Sequence, residues 1–122
     1  MHELAVCQEL VEAILSEMRR PDFAGAHLRS VRVRVGVLRQ IEHESLRFAY
    51  EVLTQDTPAA GSALEIVTAP VSVRCRVCGW SGEIHDRIFA CPACGAGDVE
   101  VTGGGEVILE SLELECNGPD DH

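Results

Sequence analysis

The chain has 122 residues, of which 46% are hydrophobic, and a formal net charge of -10 from ten arginines, no lysine and twenty acids. That length suits one compact domain, or one domain carrying a small metal module. No run of eighteen apolar residues marks a membrane span, and no basic start followed by an apolar stretch marks a secretory signal.

Residues 3–19 are predicted to form an amphipathic helix. Leu4, Cys7, Leu10, Val11, Ile14, Leu15 and Met18 recur at three- and four-residue steps, with Glu3, Glu9, Glu12 and Glu17 on the wet side and Pro21 beyond the end. Residues 30–37 alternate, Val31, Val33, Val35 and Val37 against Arg32 and Arg34, as a half-buried strand does. Gly36 is placed to mark a bend. A second helix is expected over 43–55, with Leu46, Ala49, Val52 and Leu53 inward. Gly61 opens a second strand through Leu64, Ile66 and Val67.

Pro70 marks a boundary, and Gly103-Gly104-Gly105 closes the segment that follows. The stretch Glu106 to Glu115 reads as a last strand, with Ile108, Leu112 and Leu114 on one face. An isolated strand is not stable alone, so it is expected to return to the N-terminal sheet. The fold class predicted is therefore α+β: a small mixed β-sheet with two helices, and an inserted zinc-ribbon-like module. The expected domains are 1–70 with 103–118, and 71–102, with a disordered tail at 117–122.

The most specific chemistry lies in that module. Cys75 and Cys78 form one CxxC pair and Cys91 and Cys94 another, with twelve residues between them and a glycine directly after each pair. Two such turns supply four thiolates for a tetrahedral zinc, and glycine tolerates the tight turn that follows. A closed site of four cysteines is structural rather than catalytic. His85 lies between the pairs and reads as a polar loop residue, with thiolate replacement as the sharper alternative. Cys91-Pro92-Ala93-Cys94-Gly95 also resembles a rubredoxin knuckle, but the short gap and few aromatic residues disfavour a small iron carrier. Thiols that hold metal fit a reducing cytoplasm. Cys7 falls on a helix's apolar face and is expected in the core. Cys116 is expected to be an exposed thiol.

Zinc ribbons often bind nucleic acid, so the local charge matters. Across 71–101, three arginines face four acids, and four thiolates on a divalent zinc add further negative charge. Phosphates are repelled by such a module. Neither nucleic acid nor a membrane is expected as a partner.

The chain opens Met1-His2-Glu3 directly before a helix. An ordinary frayed start, with Glu3 complementing the helix dipole, is one reading. The other is a chelate. The terminal amine, the amide nitrogen of residue 2 and the His2 imidazole can close five- and six-membered rings around one metal, and nickel(II) suits planar nitrogen coordination. The His2 N–H has no helical partner to lose.

Several segments carry a family resemblance. They are Met1-His2-Glu3-Leu4, Val35-Gly36-Val37-Leu38, Glu44-Ser45-Leu46-Arg47-Phe48-Ala49-Tyr50-Glu51, Leu64-Glu65-Ile66, the paired cysteines and Glu110-Ser111-Leu112-Glu113-Leu114-Glu115. In these the chain resembles the HypA/HybF proteins, nickel metallochaperones of hydrogenase maturation. The resemblance covers residues 1–116. It implies that Met1, His2 and Glu3 are the nickel region, with His2 the essential ligand, and that Cys75, Cys78, Cys91 and Cys94 hold structural zinc.

The resemblance also implies a cytoplasmic protein that is not an enzyme, with Ni(II) and Zn(II) as its metals. Its implied partners are a HypB-type GTPase, the NiFe-hydrogenase large subunit and, in some members, urease maturation proteins. Monomer and homodimer both stay open. Many relatives carry histidine beside the cysteine pairs, whereas here the neighbours are Arg76-Val77 and Pro92-Ala93, which leaves His85 alone as a candidate for ligand exchange at zinc. The rival reading is a zinc-ribbon adaptor for protein or nucleic acid, with the opening tripeptide incidental.

Overall fold

The computed structural model describes residues 2–85 and 89–116, apart from the side chains of His2 and Cys116. Met1, the Cys116 thiol and the tail 117–122, expected to be disordered, lie outside the described residues. The backbone divides into two compact units. One comprises residues 1–33, 41–66 and 108–122; the other comprises 34–40 and 67–107.

In the first unit, helix α1 runs His2–Met18 and helix α2 runs His43–Leu53. On α1 the residues Val6, Cys7, Leu10, Val11, Ile14 and Met18 are buried, at the three- and four-residue spacing that puts them on one stripe. On α2 the inward residues are Leu46, Ala49 and Tyr50. The two helices pack on each other. Helix α2 starts at Glu42, whose carboxylate accepts from the Ser45 N–H at 2.9 Å and the Ser45 hydroxyl at 2.6 Å. That is an N-cap role usually filled by a shorter side chain. It ends at Thr54, whose hydroxyl donates to the Tyr50 carbonyl at 2.7 Å.

Strand β1 spans Ala26–Gly36, β2 Ala63–Ala69 and β6 Val107–Cys116, in the sheet order β2-β1-β6. The last strand thus returns to the N-terminal sheet, as expected. Leu28, Val31 and Val33 on β1 are 0–1% exposed, and with Cys7, Ile14 and Leu46 they are among the fully buried residues of this unit. Arg32 points to the opposite face and makes a forked pair with Glu65 of β2, at 3.1 and 3.3 Å.

The second unit carries a sheet of its own, β4-β3-β5, from Val71–Cys75 (β3), Ser81–Ile84 (β4) and Val99–Gly103 (β5). Both pairings are antiparallel, and β3 slips register against β5 between Ser72 and Val73. Its core is Val71, Val73 and Ile84, with Trp80 and Val99 packed against them.

Four apolar residues expected inside are not. Leu4 is 52% exposed, Val52 47%, Val37 45% and Ile108 46%. Val37 does not continue the buried face of β1. The strand stops at Gly36, and Val37–Arg39 form a short 3-10 helix. On β6 the half-buried positions are Val107 and Leu109, then Leu112 and Leu114. The buried parity switches within the strand, which is why Ile108 falls outside.

Candidate metal centre

Each cysteine pair sits on a tight turn built from its own backbone. In the first, the N–H groups of Val77 and Cys78 donate to the Cys75 sulfur at 3.3 and 3.4 Å, and the Gly79 N–H donates to the Cys75 carbonyl at 3.1 Å. In the second, Ala93 and Cys94 donate to the Cys91 sulfur at 3.3 and 3.4 Å, and Gly95 donates to the Cys91 carbonyl at 2.8 Å. Gly79 and Gly95 both have φ of 81°, a left-handed conformation that strains any residue with a Cβ. The glycine after each pair is therefore a requirement of the turn. Further backbone bonds close the turns: Cys75 N–H to the Trp80 carbonyl at 2.7 Å, Arg76 N–H to the Asp98 carbonyl at 3.0 Å, and Cys91 N–H to the Ala96 carbonyl at 2.9 Å.

The two turns face each other. All four sulfurs lie within 4.8 Å of one another, with Cys75–Cys94 at 3.7 Å and Cys78–Cys91 at 3.6 Å. A Zn–S bond of about 2.3 Å places tetrahedral sulfurs about 3.8 Å apart. The donor set and its spacing therefore fit a tetrahedral metal ion such as zinc. Cys75 and Cys91 are buried, while Cys78 and Cys94 face outward.

The electrostatics also favour a bound cation. The Cys78 N–H holds the Cys75 thiol down at about 6, outweighing desolvation, with help from the Val77 N–H. Cys94 goes the other way, to about 12. There the Ala96 N–H favours the thiolate, but desolvation and the three neighbouring sulfurs outweigh it. Four sulfurs this close cannot all ionise unaided. A dication supplies the missing charge, which is how metal binding couples to thiol deprotonation.

Among the described residues, the four cysteines alone make up this cluster. His85 stands apart from it, exposed, with its Nε2 3.7 Å from the Glu83 carboxylate. Cys7 is fully buried in the first unit, 4.0 Å from the Leu46 carbonyl, and burial pushes its thiol up to about 11.

At the start of α1, Glu3 has a defined partner. Its Oε2 accepts from the Glu42 N–H at 2.8 Å, and that amide, first among several donors, holds the carboxyl down at about 2. Sequence reasoning selected Glu3 but not Glu42, because residues 39 apart in the chain leave no local signal. Of the remaining N-terminal candidates, Met1 and the His2 imidazole lie outside the described residues.

A family model described as hydrogenase/urease nickel incorporation, metallochaperone, HypA matches residues 1–114. The chain belongs to the HypA family. Hydrogenase maturation factor HypA from Acidithiobacillus ferrooxidans is 37% identical over 115 residues, covering 94% of this chain and 100% of that protein. The counterpart from a Bradyrhizobium species is 38% identical over the same coverage. Two solution structures share the fold. A HypA protein has 25% identity and a TM-score of 0.68, over 96% of this chain and 98% of that one. The Ni metallochaperone HypA from Helicobacter pylori has 24% identity and a TM-score of 0.66, over 94% and 98%. The α+β architecture of two helices and small sheets is thus shared with the HypA structures. The family is one of metallochaperones and maturation factors rather than catalysts.

Proposed function

We infer that this HypA-family protein binds Ni(II) at its N-terminus, through Met1, His2 and Glu3, and delivers it for maturation of NiFe-hydrogenase. The observation that carries the reading is the family match over residues 1–114, which takes in both the opening tripeptide and the four cysteines. Zn(II) is the resident ion of Cys75, Cys78, Cys91 and Cys94, and its part is to hold a fold. The nickel region has the opposite character. It is nitrogen-rich, sits at a chain end and is open enough for a cargo to leave. Residues 1–70 with 103–118 serve as the nickel domain and 71–102 as the zinc module. The protein works in the cytoplasm with a HypB-type GTPase and the hydrogenase large subunit as partners, and it carries metal without catalysing a reaction.

The test is a metal titration of untagged protein. One zinc per chain should copurify. His2→Ala should abolish nickel binding and leave zinc content and circular dichroism unchanged. An N-terminal tag should do the same, since it converts the terminal amine to an amide. Equal nickel affinity in native, tagged and His2→Ala protein would sink the assignment. A visible charge-transfer band in protein as isolated would indicate iron at the cysteines instead of zinc.

A further inference from the structure

The outer face of the helix pair carries apolar surface that the core does not use. Phe48 is 68% exposed and Val52 47%, and on α1 Leu4 is 52% exposed. Phe48 and Val52 stand four residues apart and so share one ridge of α2. With Leu4, Ala49, Leu53, Ser45 and Glu3 they line a concavity of about 310 Å³. Side chains this large, grouped this closely, mark binding surfaces more often than idle ones.

The rim decides what can bind there. Phe48 also walls a second concavity of about 350 Å³, lined by Glu44, Arg47, Tyr50, Glu51 and Leu64. Around the two hollows stand the carboxylates of Glu3, Glu44 and Glu51 against a single guanidinium. That guanidinium, on Arg47, is itself 3.7 Å from Glu44. The Glu42 N–H donates to the Glu3 carboxylate at 2.8 Å and holds it at the rim. The rim is therefore net negative, on a chain of net charge -10. A second copy would bring the same acids to the interface, and phosphates would be repelled by them. An apolar group flanked by cations is complementary to it.

We propose that this α1/α2 surface docks a partner protein segment that presents bulky aliphatic side chains flanked by lysine or arginine. Glu3 belongs both to this rim and to the nickel region inferred above. Docking would therefore bring the recipient of the metal to the end of the chain that carries it. That purpose rests on the nickel reading, whereas the docking itself does not.

The experiment uses full-length, zinc-loaded protein and two short fluorescent peptides. One carries leucines at helical spacing with lysines between them, and the other has glutamates in place of the lysines. The lysine peptide should bind roughly tenfold tighter than the glutamate peptide. It should shift the amide resonances of Leu4, Ser45, Phe48 and Val52. Phe48→Ser should weaken it by about tenfold. Because Phe48 is exposed, that variant should keep its circular dichroism and its nickel stoichiometry. Glu44→Lys with Glu51→Lys should reverse the preference between the peptides. Equal binding of both peptides, or no effect of Phe48→Ser, overturns the proposal. So does self-association that Phe48→Ser abolishes, since the occupant is then a second copy. Nickel titration of the same samples keeps the two readings apart. Peptide docking without nickel binding leaves this surface standing and removes only the delivery role.

Discussion

Gly36 shows how much a single hydrogen atom can decide. Its φ of -65° suits any residue, so conformation is not the reason for glycine here. The reason is space. A Cβ at Gly36 would lie 2.1 Å from the Gly104 carbonyl oxygen and 2.7 Å from the Gly105 nitrogen, both backbone atoms. The close approach lets the Gly36 N–H reach the Glu106 carbonyl at 2.8 Å and the Leu38 N–H reach Gly104 at 2.9 Å. Gly36→Ala should therefore cost about 2 kcal/mol or more, by the mechanism of overpacking against atoms that cannot move aside. Trp80 is the only tryptophan and lies in the same unit, so its fluorescence in urea reports the loss. Gly97→Ala, with nothing within 4 Å of the added Cβ, should stay within about 0.5 kcal/mol. Equal losses at the two positions would remove the steric account. Glu3 gives a second prediction at this scale. Its folded pKa, about 2, lies below the ordinary 4.5. Its contribution to stability is thus fully present above pH 4.5 and disappears as pH falls through about 2. Glu3→Gln should be less stable than the native chain at neutral pH, with the difference shrinking between pH 4.5 and 2. A difference that stays constant across that window would show that the carboxylate charge is not what the Glu42 amide recognises.

At the scale of elements, the two cysteine turns were legible in the sequence because everything that makes them is local. The sulfur, the two N–H groups it accepts from and the left-handed glycine fall within five residues. Helix α1 was legible for the same reason, since its stripe repeats four times before Pro21. What escaped was set by distant neighbours. Leu4 and Val52 fit the helical period, but the stripe is wider than the core that covers it, and period alone does not measure coverage. Val37 fits the alternation of β1, yet the strand must stop where Gly36 meets Gly104, and nothing near Val37 announces that. The β3-β4 and β3-β5 pairings were likewise unread, because Ser81, Gly82 and Val99 pair with partners that alternation does not name. The cysteine turns also carry a prediction. The core beneath them is small, five side chains, whereas a structural zinc in such sites binds with on the order of 10 kcal/mol. Cys91→Ser should therefore lose the zinc and melt this unit, seen as red-shifted Trp80 emission, while the far-ultraviolet signal of α1 and α2 persists. A Cys91→Ser protein with native Trp80 emission and no zinc would mean that the hydrophobic core suffices alone.

For the molecule as a whole, the chain threads between its units more often than a simple insertion would require. Residues 34–40 belong with the cysteine unit, although sequence alone groups them with the first helix and strand. They are held there by Gly104, Gly105 and Glu106, the last two through the Arg39 side chain at 3.4 Å and the Gly36 N–H. Two residues further on the chain reaches Glu42, which caps α2 and whose N–H binds Glu3. Two residues of chain and one hydrogen bond therefore lead from residue 40 to Glu3. If zinc is removed, the 3-10 helix at 37–39 loses its Gly104 and Gly105 partners, and the Glu42 amide becomes less well placed. The Glu3 carboxylate then loses the donor that holds it. Nickel binding should weaken as a result, by about five- to thirtyfold, which corresponds to about 1–2 kcal/mol of coupling between sites. Calorimetric nickel titration of native protein and of Cys91→Ser measures it, with hydrogen exchange at Glu42 followed alongside. The expected result is weaker nickel binding together with faster exchange at that amide. Unchanged affinity would make the two metal sites independent and the segment 34–40 a structural tie only. Weaker affinity with unchanged exchange at Glu42 would place the coupling on some other route.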